Sequence, residues 1–482
     1  MLALLTELRD TAVSVATVLL YNAGKMKGRS GCTILEGAIE KFVNNPTNRH
    51  NSSALDGFCA GVLGWSICGF SALYGIDPRC ALNAMRGRGA PALFRNLAET
   101  IATRGFRKPF SLNSPISVVW SLSKKCNLRC AHCYQDAERS SPQEMDVEEQ
   151  LQVADELAES GVSLIVLSGG EPLLNRGIFA LIRRFSERGM AIALDSNGTL
   201  IDTSMAGRLR EAGINSVQIS IDSISRARHD EFRGMSGAFE RAREAVKKCS
   251  RAGIFTTVAT TVTQRNSDEV EQLVDLARKW GARRISIFDL IPAGRGLGIV
   301  DEALCKRERI SLMRFAAERS RHGDIEVVLE LPQLTPYTFA EDDSGANTEE
   351  QETDAFSVEK FTVTSYFNMA GPGAVYRSVA TYLGGCPAGR LYCNIQPNGD
   401  VTPCMFMPTY PVAGNLRANR FREIWDDAPA FRMLREREFL KGRCNGCVFR
   451  LLCGGCRAKA AAYFGDYLQE DPTCPLIESK LQ

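Results

Sequence analysis

Cys126-Asn-Leu-Arg-Cys130-Ala-His-Cys133 places three thiols at spacings of four and three residues. A packed core uses cysteine singly, as a small hydrophobe, so packing does not account for the triplet. Three thiolates on a tight loop suit three corners of a [4Fe–4S] cube, leaving the fourth iron without a protein ligand. An iron left open in this way can bind a small molecule and pass an electron into it. A zinc knuckle is the rival use of the same residues.

The loop follows residues 116–122, the first of six strand-like runs. The others are 163–167, 191–195, 216–221, 256–262 and 284–290. Amphipathic helices are expected near 146–159, 176–188, 203–212, 237–252, 267–280 and 302–320. The second shows the spacing best, with Ile178, Leu181, Ile182 and Phe185 on one face. Six βα units in series predict a parallel sheet with right-handed crossovers. Such a sheet carries its functional loops at the carboxyl ends of the strands, where the cysteine loop lies.

Other strand ends carry polar motifs. Ser168-Gly-Gly-Glu-Pro172 follows the second run. Gly169 and Gly170 allow close backbone approach to a ligand, and Glu171 could accept hydrogen bonds from an ammonium group. The same residues also suit a plain turn in which Pro172 starts a helix. Ser196-Asn-Gly-Thr199 and Ser220-Ile-Asp222 end the third and fourth runs, and either hold a ligand or cap the next helix. Asn266 and the turn Pro292-Ala-Gly-Arg-Gly296 occupy equivalent places, and Arg295 could pair with a carboxylate.

A second cysteine group begins with Cys386-x6-Cys393-x10-Cys404, in which Gly399 lies five residues before Cys404. Cys444-x2-Cys447-x5-Cys453-x2-Cys456-x17-Cys474 follows. A tetrahedral zinc site from Cys444, Cys447, Cys453 and Cys456 would strand Cys474 and leave the first three cysteines one ligand short.

The loop Cys126–Cys133, followed by the GGEP turn, resembles the signature of radical S-adenosylmethionine (SAM) enzymes, and the later cysteines resemble the SPASM domain of radical SAM maturases. The resemblance covers about residues 115–322 and 384–476. It implies a partial (β/α)6 TIM-like barrel of α/β class, with a small cysteine-rich C-terminal domain. It also implies SAM and three [4Fe–4S] clusters, one SAM-binding and two auxiliary. Cys126, Cys130 and Cys133 would hold the reducing cluster, whose open iron chelates SAM. Glu171, in Gly169-Gly-Glu-Pro172, would take the SAM amine. Ser196, Asn197, Ser220, Asp222, Asn266 and Arg295 would meet its ribose and carboxylate. His132 would lie beside the adenine or shield the cluster. Cys386, Cys393, Cys404 and Cys456 would hold one auxiliary cluster, and Cys444, Cys447, Cys453 and Cys474 the other. One departure is visible: Cys453-Gly-Gly-Cys456 has two intervening residues where the family commonly has three.

The totals agree with such a protein. Its 482 residues leave room for two or three domains, and 58 basic against 56 acidic residues give no bulk field for nucleic acid. Of 17 cysteines, 11 fall in these groups, which favours metal binding in a reducing, anaerobic cytoplasm over a disulfide scaffold. No cleavable signal peptide is evident.

Residues 1–110 read as a helical, apolar region outside the resemblance. Residues 57–76 contain no charged residue, and are either a buried helical hairpin or a contact with a membrane or an apolar substrate. Residues 86–107 are basic, with Leu93, Leu97 and Ile101 at helical spacing, as in a solvated amphipathic helix or one facing anionic headgroups. The barrel is assigned to 111–325, a linker to 326–383 and the SPASM domain to 384–482. Within the linker, 341–354 holds seven acids in fourteen positions and reads as a flexible insertion.

The expected function is hydrogen abstraction from an unactivated C–H bond, giving oxidation, decarboxylation or cross-linking. The apolar N-terminal region favours a hydrophobic substrate, a lipid chain or a tetrapyrrole, with a peptide still open. A ferredoxin or flavodoxin would supply electrons. The protein would be cytoplasmic, with peripheral contact at the membrane face through residues 1–110. A non-catalytic electron carrier is the alternative from another class.

Overall fold

A computed structural model describes residues 87–337, apart from 106, 323 and 335, and residues 383–475. The expectations for residues 57–76 and 341–354 lie outside the described residues. Strands β1 (Ser117–Ser121), β2 (Leu164–Ser168), β3 (Ala191–Ser196), β4 (Ser216–Ser220), β5 (Phe255–Val262) and β6 (Arg284–Asp289) form in sequence order. Each pairs in parallel with the next, in a register that sets Val118 beside Ile165 and Ile165 beside Ile192. β1 and β2 are buried along their whole length, as expected of parallel strands covered on both faces.

Two further strands extend the sheet. β7 (Glu326–Leu329) pairs in parallel with β6, and β8 (Tyr392–Ile395) pairs in parallel with β1 at the opposite edge. β9 (Asp400–Thr402) and β10 (Gly414–Asn415) then add antiparallel strands. The result is an open ten-stranded sheet, ordered β10-β9-β8-β1-β2-β3-β4-β5-β6-β7. Strands therefore continue beyond the six predicted units, into the start of the presumed linker and into the cysteine-rich region. Both additions are only four residues long, too short for a periodicity argument.

Alternation along the strands separates two cores. Val118, Trp120, Ile165 and Ile192 face outward to the helices, where Leu181, Ile182 and Phe185 pack against them. Val119, Val166, Ala191 and Ala193 face inward and meet Cys386, Tyr392, Cys404 and Met405 of the C-terminal region. The helix Val147–Glu159 starts from a capping box between Asp146 and Glu149. The helix Ala90–Arg104 lays Leu93, Leu97 and Ile101 on Phe110, Leu112 and Ile116, before the start of β1. Its apolar face is thus covered by protein. Among the described residues, no helix is long and apolar enough to cross a membrane.

Candidate active site

The cysteine loop leaves β1 and is fastened by backbone contacts on several sides. Cys126 N–H donates to Glu138 O (3.3 Å), Ala131 N–H to Phe232 O (2.9 Å) and Arg295 N–H to Cys133 O (2.9 Å). Gly170 N–H donates to Ser123 O (2.7 Å), and Glu171 N–H to Lys125 O (2.9 Å). A Cβ on Gly170 would stand 2.2 Å from Lys125 O, and Gly169 has φ +127°. The two glycines therefore allow the turn after β2 to press against the cysteine loop.

Glu171 is buried and serves as a hub. Its Oε1 accepts from Ser196 Oγ (2.9 Å) and Leu173 N–H (3.2 Å), and its Oε2 accepts from Asn197 N–H (2.9 Å). Burial pushes its carboxyl up to about 7, against the lowering effect of these bonds. Pro172 opens a short 3-10 turn through Leu174. Asn197 in turn donates from Nδ2 to Asn127 Oδ1 (3.0 Å), tying the strand-three turn to the cysteine loop.

An open cavity is bounded by Cys126, Cys130 and Cys133, by Gly169 and Gly170, and by Ser196, Asn197, Ser220 and Arg295. His132 also lines it. Its ring is stacked on Phe232 with centroids 4.2 Å apart, and burial holds the imidazole down at about 3. Nδ1 of His132 and Oγ1 of Thr260 are buried without a hydrogen-bond partner, and both residues belong to the cavity wall. Polar atoms left without partners in a cavity wall fit a polar ligand.

Four predicted residues stand behind the wall. Glu171 and Pro172 shape the turn after β2. Asp222 accepts from Arg233 Nε (2.5 Å) and Thr261 N–H (2.9 Å). Asn266 donates from Nδ2 to Asp222 O (2.6 Å) and Thr261 O (3.0 Å). Arg295 lines the cavity, yet its guanidinium is engaged by Cys130 O (2.8 Å), Asp136 (2.9 Å) and Ala137 O (3.1 Å). It braces the cysteine loop, where the sequence reading expected it to meet a ligand carboxylate.

Several wall residues carry no motif. Arg233 ends the helix Arg226–Arg233, whose polar sequence has no apolar stripe; its Nη1 approaches Cys130 Sγ at 3.8 Å. Burial raises the Cys130 thiol, while Arg233 acts to lower it. Asp195 on β3 bonds Gln218 Nε2 (3.1 Å), and burial pushes its carboxyl up to about 7. It shares the inner face with Ala191 and Ala193, so strand alternation was the available signal. Phe288, Ile291, Met405 and Phe406 form an apolar wall.

In the C-terminal region, the turn Gly454-Gly455 has φ of +69° and +64°. It accounts for the two-residue spacing, since two glycines in the left-handed region reverse the chain between Cys453 and Cys456. Cys453 is raised by burial and further by Cys474 and Cys444. Cys456 is raised by burial, then by Asp471 and Cys386, and Cys386 also raises Cys404, which burial pushes up to about 12. Cys386, Cys404, Cys444 and Cys456 share one packed cluster, whereas Cys393 lies in the outer core with Ile395 and Trp425.

The donor chemistry fits iron–sulfur clusters. None of the thirteen described cysteines is in a disulfide. Backbone N–H groups of Leu128, Ala137, Gly455 and Asp471 point at Cys126, Cys133, Cys453 and Cys444 Sγ at 3.3–3.4 Å. Arg437 and Arg457 are 1% and 0% exposed beside the C-terminal thiols, and Arg437 Nε has no hydrogen-bond partner. Buried cations of this kind require anionic compensation, which cluster thiolates provide. Among the described residues, no three His, Cys, Asp or Glu side chains converge as a site for a metal ion.

Comparison with known proteins gives the same outline. Residues 120–277 match the profile of the radical SAM superfamily, and residues 386–448 match an iron–sulfur cluster-binding domain, SPASM. An AdoMet-dependent heme synthase of Methanosarcina barkeri is 34% identical over 75% of this chain and 97% of its own. A pre-heme d1 synthase of Dinoroseobacter shibae is 32% identical, over 75% and 87%. A PqqA peptide cyclase of Granulibacter bethesdensis is 26% identical, over 76% and 88%. Among solved structures, Streptococcus suis SuiB bound to S-adenosylmethionine superposes with a TM-score of 0.56 at 17% identity, covering 80% of this chain and 82% of that one.

Proposed function

The chain belongs to the radical SAM superfamily, with a C-terminal SPASM domain, and on that premise we propose that this enzyme acts on a tetrapyrrole. When bound, a reduced [4Fe–4S] cluster and SAM supply a 5′-deoxyadenosyl radical able to take hydrogen from an unactivated C–H bond. In our reading Cys126, Cys130 and Cys133 hold that cluster. Ser196, Asn197 and Ser220 hold SAM, and Glu171 fixes the turn that carries Ser196 and Asn197. Arg233 and Arg295 keep the loop in place and put positive charge beside its thiols. Two auxiliary clusters complete a set of three. An external one-electron donor of ferredoxin or flavodoxin type reduces them. Residues 111–325 carry the radical chemistry and 384–482 the auxiliary sites. Residues 1–110 meet substrate or the cytoplasmic membrane face.

The observation that carries the substrate reading is that Phe288, Ile291, Met405 and Phe406 line the same cavity as the polar strand-end residues. A flat apolar ring with polar side chains is complementary to such a cavity. The relatives above 30% identity that bear on the choice are named for haem-type products, and this supports the same reading. Oxidation or decarboxylation of a ring side chain is the expected outcome.

The test is turnover of SAM under anaerobic reduction, with candidate substrates added in parallel. Iron-coproporphyrin and related tetrapyrroles should stimulate 5′-deoxyadenosine release at least about tenfold, a barrier change of ~1.4 kcal/mol. Stimulation by a peptide with none by any tetrapyrrole would replace this reading with peptide maturation.

A further inference from the structure

The register of β3 on β4 sets Asp195 directly beside Gln218. Their sequence neighbours Leu194 and Val217 lie in the outer core, so strand alternation turns Asp195 and Gln218 inward. Both line the cavity. Gln218 Nε2 donates to Asp195 Oδ1 at 3.1 Å, and among the described residues neither Asp195 Oδ2 nor Gln218 Oε1 takes part in a hydrogen bond. The pair thus keeps one oxygen of each side chain for a ligand.

No cation answers this carboxyl, because the arginines of the cavity wall are committed elsewhere. Arg233 pairs with Asp222 (2.5 Å) and Arg295 with Asp136 (2.9 Å). Arg284, inward on β6, pairs with Glu326 (3.0 and 2.8 Å), and Asp289 holds Arg309 and Lys459. The ionisable groups facing Asp195 are Glu330, after β7, and Tyr134. Burial raises both, and the Asp195 carboxyl raises them further. Glu330 Oε1 is itself buried without a hydrogen-bond partner. An acid with no cation and a second acid facing it keeps its proton. Since Oδ1 accepts from Gln218, that proton belongs on Oδ2, beside the acceptor Gln218 Oε1.

The same cavity carries rings. Tyr134 meets Phe406 edge-on at 4.9 Å, and Phe406 meets Phe288 at 6.1 Å. Aromatic side chains suit a flat ring, and a neutral acid among the wall residues suits an anionic substituent on that ring. A carboxylate accepts the Oδ2 proton in a charge-assisted bond, whereas an N–H group would meet that proton head-on.

Resting on the tetrapyrrole reading above, we propose that Asp195, a neutral acid steadied by Gln218, receives a carboxylate side chain of the substrate and so orients the ring in the cavity. Asp195 is then a specificity-determining residue that recognises an anion without a cation.

The experiment uses the iron-loaded enzyme with SAM, left unreduced so that nothing turns over. Binding of iron-coproporphyrin is read from its absorption between about pH 6 and about pH 9, where ring carboxylates stay ionised. Burial pushes Asp195 up to about 7, so affinity should be flat below that pH and fall about tenfold per unit above it. Asp195→Asn keeps a donor that does not titrate. It should bind within about threefold of the native enzyme at about pH 6 and lose the pH dependence. Asp195→Leu should bind at least about tenfold more weakly at that pH, and Asp195→Ala repeats this arm if the leucine variant fails to fold. A purely structural role for Asp195 would give neither the slope nor its removal by the amide. Native affinity independent of pH, an unchanged slope in Asp195→Asn, or an amide variant as weak as the leucine variant would overturn the proposal. Failure of the native enzyme to bind iron-coproporphyrin at any pH would overturn the tetrapyrrole reading, and the proposal with it.

Discussion

The cysteine loop of the barrel and the cysteine sets of the C-terminal region present the same side chain with opposite kinds of support. Around Cys126–Cys133 the protein supplies the scaffold. Backbone bonds from Phe232, Arg295, Gly170 and Glu171 hold the loop, and a conventional apolar core lies beneath the strands that carry it. Around Cys444–Cys474 little regular structure is present: the helix Gly442–Asn445 has four residues and Arg457–Phe464 has eight. Buried there are Lys459, which is paired with Asp289, and Arg437 and Arg457, which make no ion pair with a carboxylate among the described residues. The contrast leads us to expect that the first site is built by folding alone, whereas the second would depend on its clusters to fold.

Removing iron should separate the two regions most sharply. Chelation under reducing conditions should collapse amide-exchange protection across residues 440–475 and leave β2 to β6 protected. Equal loss in both regions, read by hydrogen-exchange mass spectrometry, would erase the contrast. Next in size, Arg233→Met strands the buried Asp222 carboxylate beside the cysteine loop. It should cost about 3–5 kcal/mol, seen as a lowered midpoint in urea. Arg437→Met should cost much less in iron-free protein, because among the described residues no carboxylate pairs with it.

A smaller effect is expected from Gly170→Ala, whose Cβ would meet Lys125 O at 2.2 Å. Moving the cysteine loop aside should cost about 1–3 kcal/mol, measured by thermal denaturation, and should weaken SAM binding. The smallest is a pH effect. Burial raises Asp195 from 3.8 to about 7, so the folded state prefers the neutral acid. The stability from this group is complete below about pH 4 and is lost as pH rises to about 7, with a slope of at most about 1.4 kcal/mol per unit. Asp195→Asn should flatten that slope in urea titrations across this window, and an unchanged slope would remove Asp195 from the account.

The same contrast explains what could be read from sequence. Barrel elements were legible because each repeats a period: β3 to β6 and the helices Thr203–Ala212, Ala238–Arg251 and Val270–Lys279 lie within a few residues of expectation, as do the strand-end motifs. The turn after β2 was legible as a motif but not in its physical detail, because its glycines serve the cysteine loop and only the fold brings the two together. Arg233 was illegible. It ends a polar helix with no stripe, and its meaning comes from Asp222, which lies eleven residues earlier across a loop. The surroundings of Cys393 were not legible either, because its place on β8, beside Ile395 and Trp425, becomes visible only once that strand is known.

The most direct measurement is the product of SAM cleavage by the iron-loaded enzyme reduced with dithionite. The account predicts 5′-deoxyadenosine and methionine from the native chain and neither from the variant lacking Cys126, Cys130 and Cys133. Intact SAM after incubation with fully iron-loaded native protein, or undiminished cleavage by that variant, would contradict it.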